Sequence, residues 1–198
     1  MNHPAKSKAL LGAICFVAVQ VSAFAAPMPH SPAASIYADA AEPAEPAILA
    51  NGAPAPDFSV EDVAGHTVHR ADFAGKVVVI DFWSTWCPPC QMSLPGTDKI
   101  AKKYKAKGVV FIPVCSWDDK SAFTPWVNKR KDWTMTFYFD PAAKGDNSIA
   151  VSLFKVSGIP TQFVVGKDGK IAAGFVGYDG EESEKSLSEA IDKALAAS

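Results

Sequence analysis

Lys76-Val-Val-Val-Ile-Asp-Phe-Trp83 is β-branched and aromatic without polar alternation, and it ends four residues before a Cys87-Pro-Pro-Cys90 pair. A strand that does not alternate is covered on both faces, so this run belongs at the centre of a layered sheet. Building those layers needs a long chain, and 198 residues suffice for one domain with appendages. Apolar residues at 48% and charged residues at 20% are ordinary globular usage. A net charge of −2 leaves no basic surplus for nucleic acid or anionic lipid.

The remaining elements follow from pattern. Phe58 to Glu61 and Thr67 to His69 read as a small hairpin around Asp62-Val-Ala-Gly65. A helix is expected from about Pro88 to Lys105, a second buried strand over Val109–Ser116, and a helix over Ser121–Arg130 with Phe123, Trp126 and Val127 on one face. Thr136–Asp140 reads as a short strand and Ser148–Phe154 as a short helix. Thr161–Val165 and Ile171–Val176 pair across Gly166-Lys-Asp-Gly169, where two glycines are available for positive φ. The last helix, Glu181–Ala196, stripes Leu187, Ile191, Ala194 and Leu195, with acids in its first turn and Lys193 near its end. This order gives an α/β fold, a three-layer sandwich.

The N-terminus carries an export pattern. Lys6 and Lys8 precede an apolar run from Ala9 to Val19, and Ala23-Phe24-Ala25 supplies a cleavage site, so 1–25 reads as a signal peptide. The alternative is an uncleaved membrane anchor over Ala9–Ala26, about 18 residues long. Residues 26–51 hold nine Ala, five Pro, three acids and no base, and are expected to be a linker. The folded domain is expected over 52–198. Export places the domain in an oxidising compartment, the periplasm, soluble or tethered. Beyond Cys15 in the signal, the cysteines are Cys87, Cys90 and Cys115: a C-x-x-C pair and one leftover thiol.

Two cysteines so spaced close a small disulfide ring at the first turn of a helix. Cys87, at the cap, is expected to be exposed and to gain thiolate character from the helix dipole and free N–H groups. Cys90, one turn inside, is expected to be shielded. Cys87 then attacks a substrate disulfide and Cys90 resolves the mixed disulfide. A zinc site is disfavoured, because Cys115 is the only further thiol of the domain and His66 and His69 both lie in the hairpin; no metal is expected. A merely structural bridge would constrain little chain.

Pro88 fits the first helical position. Pro88 and Pro89 also lack an N–H, which removes donors from the Cys87 thiolate and makes the pair more reducing. Asp81 lies inside the apolar run, where burial raises a carboxyl pKa; it is the candidate to take the Cys90 proton. Gly158-Ile159-Pro160-Thr161 is, on its own, a loop with an X-Pro bond. Cys115 reads as a buried small residue.

The motif Asp81-Phe-Trp-Ser-Thr-Trp-Cys-Pro-Pro-Cys90, then Gly158-Ile-Pro-Thr161 and Val176-Gly177, resembles the thioredoxin superfamily. More narrowly, Ala53-Pro-Ala-Pro-Asp-Phe58, the Cys-Pro-Pro-Cys sequence and Pro95 resemble the exported TlpA/ResA-type thiol–disulfide oxidoreductases. The resemblance implies a thioredoxin-like fold with an N-terminal β-hairpin and a central insertion over about Trp117–Asp140. It implies a cis Pro160 set against the disulfide, and a groove lined by Trp86, Pro88, Pro89, Ile159 and Gly177. Two positions depart from many relatives: Ser93 stands where they carry Glu, and Asp81 where they carry Asn.

The expected activity is reduction of protein disulfides outside the cytoplasm, with the Cys87–Cys90 pair as the only redox group and no other cofactor. By the resemblance, clients are protein thiols and disulfides such as those of apocytochrome c or copper sites. A membrane electron donor of the DsbD/CcdA kind would recharge the pair. Alternatives are a dithiol oxidase or isomerase of the same fold, or a peroxiredoxin-type peroxidase. A copper carrier would need a late His, and the last one is His69.

Overall fold

The structure, a computed structural model, describes residues 48–142 and 145–197. The signal or anchor segment and most of the linker lie outside the described residues.

β1 (Ser59–Glu61) and β2 (Thr67–His69) form the hairpin. β3 (Val78–Trp83) leads to α1 (Pro88–Tyr104), β4 (Val110–Cys115), α2 (Lys120–Asn128) and β5 (Tyr138–Phe139). Then come α3 (Ile149–Ser152), β6 (Thr161–Val165), β7 (Ile171–Val176) and α4 (Glu181–Ala196). The strands make one seven-stranded sheet in the order β2-β1-β5-β4-β3-β6-β7. β3 pairs in parallel with β4 and antiparallel with β6, so both its edges are filled.

Alternate residues of β3 serve two cores. Val79 and Trp83 pack with Cys90, Leu94 and Ile100 of α1, Phe123 of α2, and Leu187 and Ile191 of α4. Val78, Ile80 and Phe82 face the other way, towards Phe58, Ile149, Phe154 and Phe163. Every β3 residue is buried, which is why its sequence does not alternate. The insertion supplies α2 and β5, and β5 joins the hairpin to the central strands.

Four local expectations change. β5 pairs over two residues rather than five, and α3 is one turn long. In the β6–β7 turn only Gly169 takes positive φ (75°). Ile48 and Leu49, read as linker, pack on the second core: Ile48 Cδ1 occupies the space above Gly174, where a Cβ would approach it to 2.6 Å. Gly52 N–H then donates to the Ile171 carbonyl at 2.8 Å. Packing therefore extends at least four residues ahead of the expected start, because glycine on β7 leaves room for an isoleucine.

Phe154, fully buried, stacks against Phe58, Phe82 and Phe163 with centroids 5.8, 5.1 and 5.2 Å away. Phe154→Ala is expected to lower stability by about 3–5 kcal/mol, read from the denaturant midpoint.

Candidate active site

β3 ends at Trp83, and Ser84-Thr85-Trp86 carries the chain to Cys87, the N-cap of α1. Cys87 and Cys90 are joined in a disulfide with Cα atoms 5.3 Å apart. Pro88 opens the helix, where a missing N–H does no harm. The Cys90 N–H donates to Cys87 Sγ at 3.2 Å, so a helix-terminal amide addresses the outer sulfur.

Cys87 is not exposed as its cap position suggested; only 3% of its surface is accessible. The loop before β6 accounts for this. The Ile159–Pro160 peptide is cis, and the Ile159 carbonyl oxygen lies 3.7 Å from Cys87 Sγ. Gly177, at positive φ (82°), donates its N–H to the Pro160 carbonyl at 2.8 Å and so closes the end of β7 against this loop. Around the sulfurs, Trp86, Pro88, Pro89, Met92 and Val176 are exposed and apolar, and Ile159 is half-buried. Cys90 is fully buried as well, so in the disulfide form neither cysteine is open to solvent.

A second set of contacts fixes the loop in front of Cys87. Ser84 Oγ donates to the Ser116 carbonyl, Thr85 N–H to Asp118 Oδ2 at 2.6 Å, and Trp86 Nε1 to the Trp117 carbonyl at 2.9 Å. Trp117 adopts φ 60°, unusual for a residue with a side chain, and its own indole donates to Ser148 Oγ at 3.1 Å. Strain of this kind persists where the surroundings dictate it. Here they turn the Trp117 carbonyl toward Trp86. Nothing in the local pattern marked Trp117 or Asp118; they act across 31 and 33 residues of chain.

Asp81 is buried beneath this surface, on the β3 face that α1 covers. Burial pushes its carboxyl up to about 7, against a hydrogen bond from Gln162 that pulls it down. Gln162 Nε2 donates to Asp81 Oδ2 at 2.8 Å and to Thr97 Oγ1 at 3.1 Å. Thr97 in turn donates to the Ser93 carbonyl, and Ser93 Oγ to the Cys90 carbonyl at 2.9 Å. Gln162 was missed in the sequence, although a polar residue inside the apolar run Thr161–Val165 is the same signal that exposed Asp81. Cys115 stands apart from this chemistry. Its thiol faces Asp118 Oδ2 at 3.6 Å, and burial, then the Asp118 charge, push its pKa far up.

A surface-shielded cysteine pair at a helix start, a cis-proline loop and a buried carboxyl are the parts of a thiol–disulfide exchange site. The Redoxin family model matches residues 50–191. The chain belongs to the Redoxin family. Thiol-disulfide oxidoreductase ResA of Bacillus cereus is 32% identical over 131 residues, covering 66% of this chain and 72% of that protein. A Chlorobium tepidum structure assigned as thiol:disulfide interchange protein DsbE is 33% identical with a TM-score of 0.64, covering 74% of this chain and 99% of its own. The exposed lipoprotein thioredoxin of Streptococcus pneumoniae is 28% identical with a TM-score of 0.56, over 68% of this chain and 98% of its own. This Redoxin protein is thus a ResA-like member of the thioredoxin superfamily and a thiol–disulfide oxidoreductase.

In this Redoxin protein the folded Asp81 binds its proton more tightly than the unfolded chain does. Between about pH 4 and about pH 7 the native state therefore keeps a proton that the unfolded state has lost, and stability falls as pH rises through that window. Asp81→Asn is expected to be more stable than the parent by a few kcal/mol above about pH 7, with the advantage fading towards about pH 4. Urea melts across this range check it.

Proposed function

We propose that the protein reduces protein disulfides outside the cytoplasm, with Cys87 as the attacking and Cys90 as the resolving thiol. The observation that carries this reading is the Cys87–Cys90 disulfide at the start of α1 against the cis-Pro160 loop, with the Asp81 carboxyl buried on the face that α1 covers and pushed up to about 7. In the reduced protein the Cys87 thiolate attacks one sulfur of a client disulfide; a mixed disulfide forms and one client thiolate leaves. Asp81 takes the Cys90 proton. The Cys90 thiolate then attacks Cys87 Sγ, which restores the Cys87–Cys90 bond and releases the second client thiolate. Two electrons pass to the client, and the cysteine pair is the only redox group involved.

Trp86, Pro88, Pro89, Ile159 and Gly177 form the client groove, where the Ile159 backbone meets an extended segment beside Pro160. Support for the reducing direction comes from Pro88 and Pro89, which offer the Cys87 thiolate no N–H. The export pattern of residues 1–25 supports a periplasmic site of action, soluble or anchored through that segment. There a membrane donor of the DsbD/CcdA kind recharges the pair, and clients are apocytochrome c thiols or copper-site cysteines.

Cys87→Ser is expected to abolish disulfide reduction, and Cys90→Ser to accumulate mixed disulfides with clients, visible on non-reducing gels. Resolution should speed up as pH rises through about 7, and Asp81→Asn should flatten that profile and slow the step about 10²–10⁴-fold. Equilibration with glutathione or dithiothreitol gives the potential. A value near that of thioredoxin, about −270 mV, is expected, whereas one near about −120 mV would make the protein an oxidase.

A further inference from the structure

The two carboxyl oxygens of Asp81 have unlike surroundings. Oδ2 accepts from Gln162, while Oδ1 is buried with no hydrogen-bond partner among the described residues. Gln162 uses both hydrogens of its amide, one on Asp81 Oδ2 and one on Thr97 Oγ1. The Thr97 hydroxyl proton is already committed to the Ser93 carbonyl at 3.2 Å, so Thr97 faces Gln162 as an acceptor. A reversed amide would set its oxygen against two acceptors, which fixes the donor orientation. Gln162 sits opposite Asp81 in the β3–β6 register, two residues after Pro160. Its partner Thr97 is one turn from Ser93, which caps the Cys90 carbonyl. One side chain therefore joins the buried carboxyl to the helix turn that holds the resolving sulfur.

We propose that Gln162 is the positioning residue of proton transfer: it holds Asp81 Oδ2 as the hydrogen-bonded oxygen and leaves Oδ1 to take the proton. This rests on Asp81 being the base for Cys90. The Cys90 S–H bond breaks, its proton forms an O–H bond at Asp81 Oδ1, and the thiolate electron pair makes the new bond to Cys87 Sγ. The client thiolate departs with the electrons of the broken mixed disulfide.

Two acids on the helices packed against β3 have their own partners. Glu184 of α4 lies over Gly96 of α1 and accepts from the Tyr178 hydroxyl. Asp98 of α1 accepts the Thr134 and Met135 N–H groups. Opposite Asp81 on β4 stands the neutral Pro113, and Cys115 faces Asp118. Gln162 is thus the group that moves Asp81 against the effect of its burial.

The test measures the pH profile of Cys90-dependent resolution, together with a ¹³C NMR titration of the Asp81 carboxyl in the oxidised full chain. Wild type, Gln162→Leu, Asp81→Asn and the double variant are compared. Loss of a donor to a charged oxygen should raise the Asp81 midpoint by about one to two pH units in Gln162→Leu. Resolution at pH 7 should fall about five-fold or more, and the double variant should match Asp81→Asn alone. If Gln162→Leu does not fold, Gln162→Met, closer in length, carries the same expectation. An unshifted midpoint overturns the role of Gln162 and leaves Asp81 as the base. An unchanged profile in Asp81→Asn overturns the base itself, and the relay with it.

Discussion

Strand β3 has no free edge and no free face, and the site is arranged around that confinement. β4 and β6 take up its backbone groups. The two cores take its side chains, so the direction in which each residue points is settled by parity alone. Asp81 shares parity with Val79 and Trp83, and the pleat therefore turns it toward α1, the helix that carries the cysteines. A shift of register by one residue would move the carboxyl to the opposite core. The position of the acid is a property of the sheet, and the position of the sulfurs is a property of the helix start that the sheet feeds.

Most of this was legible because the decisive signals are local. Non-alternation marked β3, the Cys-x-x-Cys spacing with Pro88 marked the start of α1, and Thr161–Val165, Ile171–Val176 and Glu181–Ala196 took their bounds from periodicity and turns. Asp81 was visible as a polar residue inside an apolar run. What escaped was set by distant chain. Ile159 covers Cys87 from 72 residues away, and the cap position of a cysteine says nothing of such a neighbour. Trp117 and Asp118 hold the loop before Cys87 through hydrogen bonds that leave no periodicity. Ile48 found a place only because Gly174, far along the chain, has no side chain.

The chemistry of the pair depends on a balance between what is near the sulfurs and what is missing. A helix-start amide addresses Cys87, yet Pro88 and Pro89 withhold two more. Ser93 contributes a hydroxyl rather than a charge, and it directs that hydroxyl to the Cys90 carbonyl. In the proposed cycle the carboxyl of Asp81 is the ionisable group that serves Cys90, pushed up to about 7 by burial set against one amide. A base with its midpoint close to neutrality is half available as acceptor and half as donor. That suits a pair which must be oxidised by one partner and reduced by another.

Cys115 keeps this arrangement closed to side reactions of sulfur. It lies on β4 next to Trp83, fully buried, with its proton held tightly. A thiol that is neither ionised nor reachable does not enter exchange. In the proposed cycle the client's bond therefore has a single internal destination, Cys90, with no third reactive thiol among the described residues into which the cross-link could wander. The same seal makes Cys115 a sentinel: an alkylating reagent that reaches it reports that the sheet has opened, not that the enzyme has turned over.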